Sequence, residues 1–111
     1  MINCEIKENT ITGLLEVEVK GHAQEYNSIV NSNICATCSL ITESLSRELK
    51  LFKKYKVLVL ESGYFHVIVK LKSDNAVRVG LYETMIVTLA SEYQKAFKIT
   101  HSVNETTFTI I

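Results

Sequence analysis

At 111 residues with twelve basic and twelve acidic side chains, the chain has room for one domain with its own core, and its charge is balanced. That balance argues against general polyanion affinity, so Lys53, Lys54, Lys56, Lys70 and Lys72 read as a solvated edge among scattered acids, with no direct nucleic-acid partner. Three cysteines, no basic-to-apolar leader and no apolar run near the roughly 18–20 residues that span a bilayer point to a reducing cytoplasm, without a disulfide framework or membrane contact.

Ile2, Cys4 and Ile6 alternate with polar residues, Glu8-Asn9-Thr10 interrupts, and Ile11, Leu15, Val17 and Val19 resume the alternation. This pattern predicts two antiparallel strands, each with one buried face, and places Cys4 on that face as a small hydrophobe. A loop from Ala23 to Ile34 follows, without Pro or Gly, long enough to be functional and poorly ordered without a ligand. The first helix is expected from about Ile34 to about Phe52, on the stripe Ile34, Cys38, Ile41, Leu45, Leu49 and Phe52. At ~100° per residue Cys38 lies within that stripe, whereas Cys35 lies on its flank with Ser39, Thr42 and Ser46 and looks outward.

Val57 to Leu60, the turn Glu61-Ser62-Gly63-Tyr64, and Phe65, Val67, Val69 and Leu71 predict a second hairpin. Ser73-Asp74-Asn75 offers an N-cap for a second helix from about Ala76 to about Phe97, with Tyr82, Ile86, Leu89, Tyr93 and Phe97 as its stripe and Met85 beside it. Thr106 to Ile111, β-branched and aromatic, reads as a last strand. The order ββαββαβ implies an α+β, two-layer sandwich: a mostly antiparallel sheet covered by two helices, in a single domain spanning 1–111.

Chemistry concentrates between Gly21 and Ser39. Gly21-His22-Ala23 ends a strand, and Asn33-Ile34-Cys35-Ala36-Thr37-Cys38-Ser39 opens the expected helix. A cysteine at a helix N-terminus meets unpaired N–H groups that favour a thiolate and could hold a developing oxyanion, and a facing histidine supplies the base. Cys35 and His22 are therefore the candidate nucleophile and base. Gly21, Ala23, Tyr26 and Ser39 are candidate peptide-contacting neighbours. The sequence identifies no third, orienting residue; Asn27, Asn31, Ser32 and Asn33 are loop candidates that no pattern singles out, so the reading names a dyad.

Gly21-His22-Ala23 followed by Cys35-Ala36-x-x-Ser39 opening a helix resembles the ribosomal-processing cysteine proteases of the Prp family. Leu89-Ala90-Ser91-Glu92-Tyr93, followed by Phe97-Lys98-Ile99, resembles the end of that family's second helix and its next strand. Two features depart from the family. Val30-Asn31-Ser32-Asn33-Ile34 stands where the family has Gly-x-Asp-Ile-Val, and the His-to-Cys spacing is longer by one residue, which a loop absorbs at small entropic cost. The resemblance implies a homodimeric, cofactor-free endopeptidase with a Cys35–His22 dyad and no metal. Its implied substrate is a precursor of ribosomal protein twenty-seven of the large subunit, from which it removes an N-terminal extension after aromatic residues.

Two other classes stay open. Cys35-x-x-Cys38 is also a redox spacing, or a zinc site if His22 and either His66 or His101 joined it, although the strand order is not the βαβ of thioredoxin-like motifs. His66 and His101 otherwise read as surface histidines, and a non-catalytic, ribosome-associated interaction module would leave Cys35 incidental.

Overall fold

The computed structural model describes residues 1–111 and forms the expected two-layer α+β sandwich. Strands β1 (Ile2–Asn9) and β2 (Leu14–Gly21) make the first hairpin, with Cys4 opposite Val19 and Ile6 opposite Val17. The alternation seen in the sequence becomes burial: Ile2, Cys4 and Ile6 with Leu15, Val17 and Val19 face the helices, and Glu16, Glu18 and Lys20 face away. Strands β3 (Val57–Glu61) and β4 (Tyr64–Lys70) form the second hairpin, which joins the first through antiparallel β2–β4 pairing.

Helix α1 spans Ser28–Phe52 and begins well before the expected Ile34. Asn27 caps it, its side chain accepting the Val30 N–H at 2.9 Å, and Asn31 fastens the chain just upstream through both polar atoms to the Tyr26 backbone (3.0 and 2.9 Å). The expected mobile loop is thus a short connection over residues 22–27, pinned by two asparagines that the sequence reading had placed in the loop. The helix ends where Lys53 turns left-handed (φ 53°) and its N–H returns to the Leu49 carbonyl. Its apolar stripe, Ile34, Cys38, Ile41, Leu45 and Leu49, is buried as expected, but Phe52 remains 42% exposed. Thr42 and Ser46, expected on the flank with Cys35, are buried beside the stripe, the Thr42 hydroxyl donating to the Cys38 carbonyl.

Helix α2 spans Asp74–Glu92, capped by Ser73, and stops short of Phe97. After a 3-10 turn at Gln94–Ala96, Phe97 opens strand β5 (Phe97–Val103), which runs parallel to β1 with Phe97 beside Ile2 and Ile99 beside Cys4. A short strand β6 (Thr106–Thr109) pairs antiparallel with β5, so the carboxy-terminal β element is itself a hairpin. The six strands lie in the order β3-β4-β2-β1-β5-β6, and both helices cover one face. Each apolar side chain sealed in that layer contributes about 1.5–3 kcal/mol. No helix is long and apolar enough to cross a membrane.

The buried face of α2 carries Asn75, Val79, Ile86 and Ala90, whereas Tyr82, Leu89 and Tyr93 are only half-buried and Met85 is half exposed. Glu83 also points inward: one carboxylate oxygen is sealed from solvent without a hydrogen-bond partner. Burial pushes its carboxyl up to about 7, with His101 opposing and Glu8 reinforcing the rise. Folded Glu83 therefore keeps a proton that the unfolded chain has already released, and the stability gained at low pH is lost as pH rises through the carboxylate range to about 7. Glu83→Gln should gain on the wild type by on the order of 2–3 kcal/mol between acidic and mildly alkaline pH, read from urea midpoints. A difference that does not change with pH would refute this.

Candidate active site

A cleft of about 550 Å³ opens between the end of β2, the outward flank of α1 and the β3–β4 turn, and Gly21, His22, Cys35 and Ser39 line it together. Its position follows from strand register. Pairing of β2 with β4 sets Lys20 opposite Tyr64, and the Gly21 N–H donates to the Gly63 carbonyl at 3.0 Å, so the turn lies beside His22.

Both glycines are required where they stand. Gly21 has φ +104°, and a side chain there would run into the Met1 carbonyl. Gly63 has φ +70°, and a Cβ on it would overlap the His22 imidazole, so the ring rests directly on a residue with no side chain.

Cys35 sits two turns inside α1, not at its start, because the helix begins at Ser28. Its neighbouring backbone N–H groups belong to the helical ladder, so the expected ring of free amides beneath the thiol is absent there, both for a thiolate and for an oxyanion. In its place the Ala23 N–H donates to Cys35 Sγ at 3.3 Å. The donor is the residue directly after His22, so one main-chain hydrogen bond ties the cysteine to the histidine segment. No hydrogen bond joins the imidazole to the sulfur: His22 is exposed in the cleft with its ring nitrogens unengaged by protein groups.

The three thiols differ sharply. Cys35 is partly exposed, whereas Cys4 and Cys38 are buried and all three are free. Burial pushes the Cys38 thiol up to about 12, with Cys35 adding to it. Burial likewise pushes Cys4 to about 12, reinforced by Glu83, Cys38 and Glu5. Cys35 and Cys38 both line the cleft, but Cys38 is buried there and only Cys35 is partly exposed, so Cys35 is the thiol a substrate can reach.

The other candidates separate. Ser39, one turn beyond Cys35, lines the cleft and is exposed. Ala23 is buried and contributes its backbone, while Tyr26 packs edge-on against Tyr93 with ring centroids 5.7 Å apart, outside the cleft. Asn27 and Asn31 are engaged by the start of α1, and neither Ser32 nor Asn33 lines the cleft. His66 lies on the open face of the sheet bonded to Glu16 (2.7 Å), and His101 is bonded to Glu8 (2.8 Å), so neither approaches Cys35 and Cys38 as the zinc reading requires.

The sequence reading missed the far wall of the cleft: Glu61, Ser62, Gly63 and Tyr64 from the β3–β4 turn, with Glu43 one helical turn beyond Ser39. The turn itself was legible, but only the pairing of two separate hairpins carries it to His22. The lining includes Glu43 and Glu61 and no lysine or arginine.

By sequence, no family model and no curated protein matches the chain. Solved structures do. The essential ribosomal processing protease Prp from S. aureus, in complex with a covalently linked product peptide, superimposes with a TM-score of 0.71 at 19% identity, covering 91% of this chain and 99% of that one. The same protease with a substrate peptide gives 0.69 at 17% identity, covering 91% and 99%. SMU.848 from Streptococcus mutans gives 0.70 at 18% identity over 93% and 95%. At these identities the likeness establishes that this chain has the fold of the ribosomal processing protease Prp over nearly its whole length.

Proposed function

We propose that the chain is a cysteine endopeptidase in which Cys35 is the nucleophile and His22 the general base. The observation that carries this reading is the single accessible thiol, held by the Ala23 N–H at 3.3 Å and sharing a cleft with the histidine one residue before that donor. A backbone N–H donated to sulfur strengthens when the sulfur is anionic, so the tie suits the attacking state. His22 takes the thiol proton as Cys35 Sγ attacks the scissile carbonyl. The imidazolium then gives that proton to the leaving amine as the peptide bond breaks, and water, deprotonated by the same imidazole, hydrolyses the thioester.

The Prp fold and the Gly21-His22-Ala23 and Cys35-Ala36-x-x-Ser39 motifs support a ribosomal substrate, a precursor of ribosomal protein twenty-seven of the large subunit cut at its N-terminal extension. Such a substrate would place the protein in the cytoplasm. A homodimer is part of the same proposal, and Val77, Leu81 and Met85, spaced four apart on α2 and 65%, 61% and 50% exposed, offer a second copy an apolar strip. The redox reading is weaker because Cys38, its required partner, is buried with its thiol pushed up to about 12.

Incubation with a peptide spanning the ribosomal extension should give one cut by mass spectrometry. Cys35→Ala should reduce that cleavage at least ~1000-fold, and His22→Ala ~100-fold or more, with slower alkylation of Cys35 near neutral pH. Cys38→Ala should keep cleavage and lose about 1 kcal/mol of stability from the buried stripe. A folded Cys38→Ala protein without activity, beside an active Cys35→Ala, would reverse the assignment.

Gly63→Ala tests the geometry while leaving both reacting side chains chemically intact, because its Cβ would occupy space the His22 ring now fills. It should slow turnover by about 10- to 100-fold by displacing the imidazole, and unchanged turnover would remove the ring's seat from the mechanism. For the dimer, sedimentation should show two copies for the wild type and one for Leu81→Lys; a monomeric wild type would refute that part.

A further inference from the structure

Whole-chain neutrality conceals a segregated charge. Lys54, Lys56, Lys70 and Arg78 line a single pocket of about 710 Å³ at the open end of the β3–β4 hairpin. The cleft with Cys35 lies at the hairpin's other end, at its turn, about 20 Å away along β4 at ~3.3 Å per residue. The four cations come from the segment after α1, from the end of β4 and from the first turns of α2, and only folding collects them.

The collection is held by a buried group. Asn75 is 3% exposed; its Nδ2 donates to the Lys54 carbonyl and its Oδ1 accepts from Arg78 Nη1 at 3.2 Å. The Lys56 N–H donates to the Ile68 carbonyl at 2.9 Å, which seats Lys56 beside the end of β4. Arg78 pairs with Glu48 at 3.3 Å, whereas Lys54, Lys56 and Lys70 pair with no carboxylate. Asp74 is the one acid in the lining.

Two aromatic rings share the pocket with these cations. Tyr55, between Lys54 and Lys56 in sequence, is 39% exposed, and Phe52 is 42% exposed with the Arg78 guanidinium 3.8 Å from its ring centroid. A free phosphate would use the cations and leave the rings without a role. A membrane surface would favour cations on a flat or convex face with protruding apolar side chains, whereas here rings and cations line one concavity. A single nucleic-acid strand uses both, with its phosphates on the lysines and a base against a ring.

We propose that this pocket is a binding site for a single-stranded segment of nucleic acid, with Lys54, Lys56 and Lys70 on the phosphodiester backbone and Tyr55 as the stacking platform. It stands independently of the peptidase reading, because no residue of the cleft takes part. The solvated edge expected from the sequence is then a site assembled by the fold.

The test is fluorescence anisotropy with a labelled RNA oligonucleotide of about 12 nucleotides, within the range one small binding surface tracks. Contacts to about three phosphates predict affinity falling by roughly 15- to 20-fold between ~50 and ~200 mM salt. The triple variant Lys54→Glu/Lys56→Glu/Lys70→Glu should abolish binding while its circular dichroism spectrum and melting stay those of the wild type. Tyr55→Ala, which leaves every charge in place, should weaken binding about 10-fold. No binding by the wild type, RNA binding that survives the triple reversal, or reversal-sensitive binding to anionic phosphatidylglycerol vesicles without binding to RNA would each overturn the proposal.

Discussion

The antiparallel register of β2 against β4 is the constraint on which the site depends. It sets the Gly21 N–H on the Gly63 carbonyl, brings the β3–β4 turn alongside the end of β2, and gives the His22 ring a bare backbone to rest on. A slip of one residue would turn Leu15, Val17 and Val19 out of the core and carry the turn away from the histidine together. Stability and site geometry are therefore fixed by one interaction: the hydrophobic alternation that locks the sheet also positions the imidazole.

The position of Cys35 inside α1 changes what can tune its thiol. A cysteine at a helix start draws on several unpaired amides at once, whereas one two turns inside draws on whatever the packed neighbour presents. Here that neighbour is the Ala23 N–H, a single donor on a segment that Asn27 and Asn31 pin from the other side. The two asparagines therefore act through the backbone: they hold residues 22–27 short and ordered, and this segment carries both the histidine and the donor to sulfur.

How much of this was legible depended on where periodicity carried the information. The stripe Ile34, Cys38, Ile41, Leu45 and Leu49 separated the packed cysteine from the outward one correctly, because α1 keeps large apolar residues on its buried face. The start of the same helix was hidden, since Ser28 to Asn33 is mostly polar, with Ile29 and Val30 as its only apolar residues and Ile29 exposed, and reads as loop until the cap by Asn27 is seen. On α2 the reading was turned by about one residue. Asn75 and Glu83 occupy the buried face and Tyr82 and Leu89 flank it, so the largest apolar side chains marked its edge and not its centre. Phe97 continued the helical spacing but pairs beside Ile2 in the sheet, a contact set by parallel β1–β5 pairing that local pattern cannot anticipate.

Charge illustrates the same limit in another form. Balanced composition and lysines separated by acids describe a solvated edge when read along the chain, but the antiparallel turn of β3 and β4 sends Glu61 to one end and leaves Lys56 and Lys70 at the other. An acid-bearing cleft without cations and a cation-lined pocket with one acid result from the same hairpin. Their separation along β4 exceeds the ~8–10 Å over which salt screens exposed charges, so each end presents its own field to a partner. A ligand drawn to one end thus gains little from, and costs little at, the other, and two partners of opposite charge could occupy the molecule together.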